Sequence, residues 1–126
     1  MRSFIDSDIL ISQLRGERKA ARFLRRISKA GAELWIGALQ RAEIVCFMRD
    51  EESKPTMHLL SKFNTAPVTG EIVDEGAALY RKWNPSHGID INDAMLAATV
   101  MKHGGRIYSL NTKHFPMPQV VVIRGW

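Results

Sequence analysis

The chain has 126 residues, 45% of them hydrophobic and 25% charged, with a formal net charge of +5 and a pI near 9.7. That size predicts one domain, residues 1–126, with enough core to fold without a disulfide or a structural metal; the single Cys46 excludes an internal disulfide and suits a reducing compartment. No apolar run is long enough to cross a bilayer, Asp6 and Asp8 interrupt any apolar leader, and the basic balance favours nucleic acid or an acidic protein as partner, so the expectation is a cytoplasmic protein without membrane contact.

In chain order, Ser3–Ile5 reads as a short strand that ends at Asp6. Arg18–Ser28 has Phe23, Leu24 and Ile27 on one face and cations on the other, the period of an amphipathic helix, and Gly31 closes it. Glu33–Ile36 is a second strand, and Gly37 leads into a helix over Leu39–Arg49. The polar stretch Asp50–Lys54, with Pro55 behind it, predicts a loop. Met57–Phe63 follows as a short helix and Ala66–Val68 as a third strand. Thr69 can cap the next helix, which offers Ile72, Ala77, Leu79 and Tyr80 for burial and breaks at Asn84-Pro85-Ser86-His87-Gly88. Ala94–Lys102 is helical up to Gly104-Gly105, and Ile107–Ser109 and Val120–Ile123 are the last strands.

Alternation of this kind implies a three-layer α/β/α architecture around a mostly parallel sheet of four to five strands. Ligands of such sheets bind beyond the carboxyl ends of the strands. Asp6 and Asn111 each follow a strand, while Glu43 and Asp93 lie near the starts of helices, so topology puts all four on one rim. Three carboxylates meeting there repel one another: at roughly 5 Å and an effective dielectric near 20, each pair costs about 3 kcal/mol. A divalent cation or a shared proton would relieve that cost. Carboxylate and amide oxygens, without Cys/His ligand spacing, suit Mg²⁺ or Mn²⁺ rather than zinc.

Simpler roles exist for each position. Glu43 shares a helix face with Leu39, Cys46 and Phe47 and could pair with an Arg or Lys. Asp93, three residues after Asp90, could cap its helix; Asp6 could cap the turn at Ser7; Asn after a strand is common turn chemistry. His58, His87 and His103 have no evident partner. Arg15, Arg18, Lys19, Arg22, Arg25, Arg26 and Lys29 form a dense basic segment, either a solvated helix face or a surface for phosphates or an acidic chain.

Four segments carry a resemblance: Phe4-Ile5-Asp6-Ser7-Asp8-Ile9-Leu10-Ile11, Ala42-Glu43, Asp93-Ala94-Met95-Leu96-Ala97-Ala98-Thr99, and Ser109-Leu110-Asn111-Thr112-Lys113-His114-Phe115. In order and spacing they resemble PIN domains, most closely the VapC-type toxins of toxin–antitoxin modules. The resemblance implies a PIN-like fold and a metal-dependent endoribonuclease, the toxin of a type II module. Asp6, Glu43 and Asp93 match the acids that hold Mg²⁺ or Mn²⁺, and Asn111 stands at a position that is Asp in many relatives. Ser109 replaces the commoner Thr and keeps its supporting hydroxyl. Asp8 stands where Ser or Asn is commoner, adding a charge or capping the first helix without being a core ligand, and His114 is structural or a minor substrate contact. The implied partners are RNA, held in part by Arg15, Arg18 and Arg22, a cognate antitoxin, and a second copy of the chain. Phe47, Met48, Met57 and Leu60 could supply the apolar interface between copies. The rival readings are a catalytically silent PIN-like RNA- or protein-binding module, a response-regulator receiver, and a small haloacid-dehalogenase-like phosphatase, whose Asp-x-Asp start Asp6-Ser7-Asp8 imitates.

Overall fold

Successive residues of the first strand point to opposite faces of a sheet, and here both faces are covered: Phe4 and Ile5 are each fully buried, in different clusters of apolar side chains. The computed structural model describes all 126 residues. Five strands, β1 (Arg2–Ile5), β2 (Glu33–Gly37), β3 (Asn64–Ala66), β4 (Arg106–Ser109) and β5 (Val122–Arg124), form one sheet in the order β3-β2-β1-β4-β5. Every neighbouring pair is parallel, with Phe4 opposite Trp35 on β2 and Ile107 on β4.

Helices α1 (Ser7–Leu14), α2 (Arg18–Lys29), α3 (Ala38–Val45) and α4 (Ser53–Leu60) supply Ile9, Leu10, Phe23, Leu24, Ile27, Ile44 and Leu60 to the cluster around Ile5 and Ile36. Helices α5 (Gly70–His87) and α6 (Ile91–His103) cover the Phe4 face with Ile72, Leu79, Ala94, Leu96, Ala97 and Val100. The result is the expected α/β/α stack, with α3 packed on both α1 and α6 where the two helical layers meet. Truncating a side chain as enclosed as Phe4 costs about 3–5 kcal/mol in such cores.

Several predicted boundaries differ. The helix that begins at Thr69 does not break at Asn84: it runs through Pro85 to His87. Pro85 falls in the last turn, where only one carbonyl loses its donor, and the stop is Gly88, left-handed at φ 62°, whose N–H bonds to Asn84 O at 2.9 Å. The helix after Gly37 ends at Val45 rather than Arg49. Asp50–Glu52 is a 3₁₀ turn and α4 already starts at Ser53, with Pro55 tolerated in its first turn. The third strand lies two residues earlier than expected, at Asn64–Ala66, and the last is Val122–Arg124. Leu60, expected at an interface between copies, is 1% exposed and belongs to the core. It shares the inward face of α4 with the buried Thr56, while Met57 stays exposed.

Candidate active site

The two central strands end side by side. Asp6 follows β1, its N–H bonds to Tyr108 O of β4 at 2.9 Å, and its side chain caps α1 by accepting from Ser7 N at 2.8 Å. The other carboxylate oxygen accepts from the fully buried Ser109 hydroxyl at 2.8 Å. Ser109 Oγ in turn accepts from Asn111 N at 3.0 Å and also faces Asp8 Oδ2 at 3.3 Å. Asp8 Oδ2 takes a further bond from Leu110 N at 3.0 Å. One hydroxyl therefore fixes two acids and the turn that follows β4.

The third acid comes from the start of α6. Asp90 and Asp93 form a reciprocal cap: Asp93 N donates to Asp90 Oδ1 at 2.8 Å and Asp90 N to Asp93 Oδ2 at 3.2 Å. Asp93 Oδ2 also lies 3.3 Å from His114 Nδ1, whose ring stands 3.1 Å from the Asn111 amide. The 3₁₀ turn Thr112–His114 folds the chain back to make that contact. Glu43 approaches from the second turn of α3, where Ser7 Oγ donates to it at 3.4 Å and the neighbouring Asn92 side chain favours its charged form.

Burial is the leading electrostatic effect at each acid. It pushes the Asp6 carboxyl up to about 7, with the charge of Asp8 and then Glu43 adding to it, against bonds from Ser109 and Ser7. Burial likewise raises Asp93 to about 8, with Asp90 and Asp6 contributing repulsion. Asp8 and Glu43 are raised for the same first reason, Glu43 further by Asp90, while Leu110 N and the more distant Arg124 oppose the shift at Asp8. No Lys or Arg forms an ion pair with any of them; the Lys and Arg ion pairs of the chain are Arg49 with Glu51 and Glu52, and Lys102 with Glu71, all exposed. Asp8 Oδ1 is buried with no hydrogen-bond partner. A cluster of repelling, hard oxygen donors with an orphaned carboxylate oxygen fits a hard divalent cation. No three His, Cys, Asp or Glu side chains already encage a point where an ion would sit, and Mg²⁺, which retains several waters, needs only one or two carboxylates.

The PIN-domain family model matches residues 3–116. This chain is a PIN domain. At the level of sequence it is similar to two ribonucleases of Mycobacterium tuberculosis. VapC10 is 34% identical over 114 residues, covering 90% of this chain and 85% of that one, and VapC19 is 33% identical, covering 90% and 91%. These matches make it a VapC-type PIN domain. Among solved structures, VapBC2 from Rickettsia felis, bound to a DNA fragment from its promoter, superposes with a TM-score of 0.79 at 16% identity over 100% of this chain and 99% of that one. A toxin–antitoxin complex from Klebsiella pneumoniae gives 0.76 at 23% identity over 98% of each chain. These two likenesses show a shared fold.

In this PIN domain Asp6, Glu43 and Asp93 interact electrostatically, and Ser109 and Asn111 join them through Asp6 and His114. Capping and clustering coexist at Asp6 and Asp93, so the simpler role at each is real without being complete. Glu43 does not pair with a Lys or Arg. Arg15 lines a cleft of about 160 Å³ with Glu43, Phe47 and Met48, whereas Arg18 and Arg22 lie on the exposed face of α2. A wider groove of about 370 Å³ between α1, α2 and α4 includes Arg25 and Lys62 but none of the acids. Sequence reasoning gave no site role to Asp90 or Asn92 and only a minor one to His114. The Asp90-x-x-Asp93 spacing was the visible signal for the first.

Proposed function

We propose that this PIN domain is a metal-dependent endoribonuclease, the toxin of a type II toxin–antitoxin module. The observation that carries the reading is a cluster of buried (Asp6, Asp93) and half-buried (Asp8, Glu43) carboxylates with raised proton affinities and no Lys or Arg ion pair, at the carboxyl edge of the two central strands. Such a cluster is costly unless positive charge arrives, and at a topological edge of a parallel sheet that cost is characteristic of a site. The relatives named as VapC ribonucleases support the substrate class.

Asp6, Glu43 and Asp93 would hold Mg²⁺ or Mn²⁺. When bound, such a cation supplies Lewis acidity, lowering the pKa of water and drawing charge from a phosphodiester. Ser109 orients the Asp6 carboxylate through its 2.8 Å bond. Asn111 contributes a neutral amide and holds His114 toward Asp93. Arg15, beside Glu43, is placed to hold a phosphate next to the acids; Arg18 and Arg22 extend the positive surface along α2. The same basic surface suits the acidic tail of an antitoxin. Pairing of two copies would use Phe47, which is 84% exposed, with Met48 and Met57. No helix is long and apolar enough to cross a membrane, and action in the cytoplasm is part of the same proposal.

The test is cleavage of a mixed RNA pool by the purified chain, freed of any partner, with Mn²⁺, with Mg²⁺ and with EDTA, beside Asp93→Asn. Discrete fragments that need both the cation and Asp93 are expected. RNA left intact by folded protein under all conditions would favour the silent binding module instead.

A further inference from the structure

Gln40 is a fully polar side chain in a place where apolar atoms would pack: it is 2% exposed, one turn before Glu43 on α3. Its amide nitrogen crosses to α6 and donates to the backbone carbonyl of Asn92 at 3.1 Å. Its carbonyl end lies against the Cα of Gly37, where an added Cβ would collide with Oε1 and press on Leu96 Cδ1 at 3.2 Å. Glycine at the entrance to α3 thus leaves the room in which the amide lies. The far end of the bond is as informative. Asn92 immediately precedes Asp93, and its own side chain lies by Glu43, whose charged form it favours. Glu43 and Asp93, which arrive on different helices, are therefore bridged by the Gln40 bond to the Asn92 backbone, inside the seam where α3 packs on α6.

A buried amide used only for packing has no need of this path. Burying Gln costs free energy unless its polar atoms are matched, and a Leu or Met would fill the same seam at no such cost. We propose that Gln40 is a positioning residue for the metal-binding acids: it fixes the backbone of Asn92, and through the Asn92 amide it sets Glu43 at the separation from Asp93 that a divalent cation requires. This rests on the reading of the acids as a metal centre. Residues that orient metal ligands from outside the coordination shell typically change affinity by about 10–100-fold when removed.

The test is Mn²⁺ binding to RNA-free protein by titration calorimetry, for the wild type, Gln40→Met, Asn92→Ala and the double variant. Met keeps the length and packing of Gln without the amide; Asn92→Ala leaves the carbonyl that Gln40 uses and removes only the group that meets Glu43. Each single variant is expected to weaken Mn²⁺ binding by about tenfold or more, and the double variant no further than the weaker single, since both break one path. Wild-type affinity in folded Gln40→Met, or independent effects that multiply in the double variant, would overturn the role of Gln40. If Gln40→Met fails to fold, Asn92→Ala decides alone, and wild-type affinity in it refutes the path. A wild-type chain that takes up no Mn²⁺ would instead remove the metal reading, and the positioning role with it.

Discussion

Ser109 Oγ donates to Asp6 Oδ2 across 2.8 Å and so ties the ends of β1 and β4 together inside the site. Because the same oxygen accepts from Asn111 N and faces Asp8, Ser109→Ala should disturb three groups at once. Leaving buried acceptors and a donor unmatched costs roughly 1–3 kcal/mol, and RNA cleavage should fall about 10–100-fold. Thermal unfolding and initial rates measure the two losses; full activity would show that Asp6 holds its orientation without the hydroxyl.

Asp93→Asn keeps an oxygen for the Asp90 cap but removes the charge. Cleavage should drop by more than the roughly 10–100-fold expected of an outer-shell partner, while the circular-dichroism spectrum stays that of the wild type. Undiminished cleavage would take Asp93 out of the metal set.

In EDTA, stability should fall as pH rises. Asp6 binds its proton up to about pH 7 in the folded state and Asp93 up to about pH 8, both above the ordinary value of 3.8. Below about pH 4 folded and unfolded chains both hold these protons and no penalty exists. Between that point and about pH 8 the folded chain holds protons that the unfolded chain gives up, so stability declines through this window and then levels off. Melting curves from pH 5 to about 8.5 should show the decline, and Asp6→Asn should flatten it. A melting temperature that rises across this range would contradict the raised proton affinities.

Saturating Mn²⁺ should reverse that loss. At a hundred times its dissociation constant, a ligand that binds only the folded state adds about 2.7 kcal/mol, a clear upward shift in melting temperature for a chain of this size. The gain should be largest near pH 8 and absent in the Asp93→Asn variant. An equal gain in that variant would place the ion elsewhere.

Arg15→Ala should weaken RNA binding without altering metal-free stability, because Arg15 is exposed and makes no ion pair. If it holds one phosphate, the slope of log affinity against log salt should shrink by about 1. An unchanged slope would assign the phosphate contacts to other cations.

The strands bounded by Asp6 and Asn111 were readable because short apolar runs ended at polar residues, and parallel topology then placed both residues at one edge. What periodicity could not supply was the way the chain turns back after β4. His114 reaches Asp93 only through the 3₁₀ turn at Thr112–His114, a geometry with no repeat to detect. Pro85 was misread because its meaning depends on how far the helix still has to run: one turn from Gly88 it costs a single bond. Leu60 failed for another reason. An apolar stripe on a helix announces a buried face, but not whether that face is covered by its own sheet or by a partner.

The order β3-β2-β1-β4-β5 has a temporal consequence. The first strand takes the middle of the sheet, yet its neighbour on one side is not synthesised until residue 106, after every helix. Until that strand docks, Asp6 has neither Ser109 beneath it nor the His114 turn opposite. The acids thus come early in the chain and the hydroxyl that orients Asp6 comes late, so the site is complete only once β4 has docked.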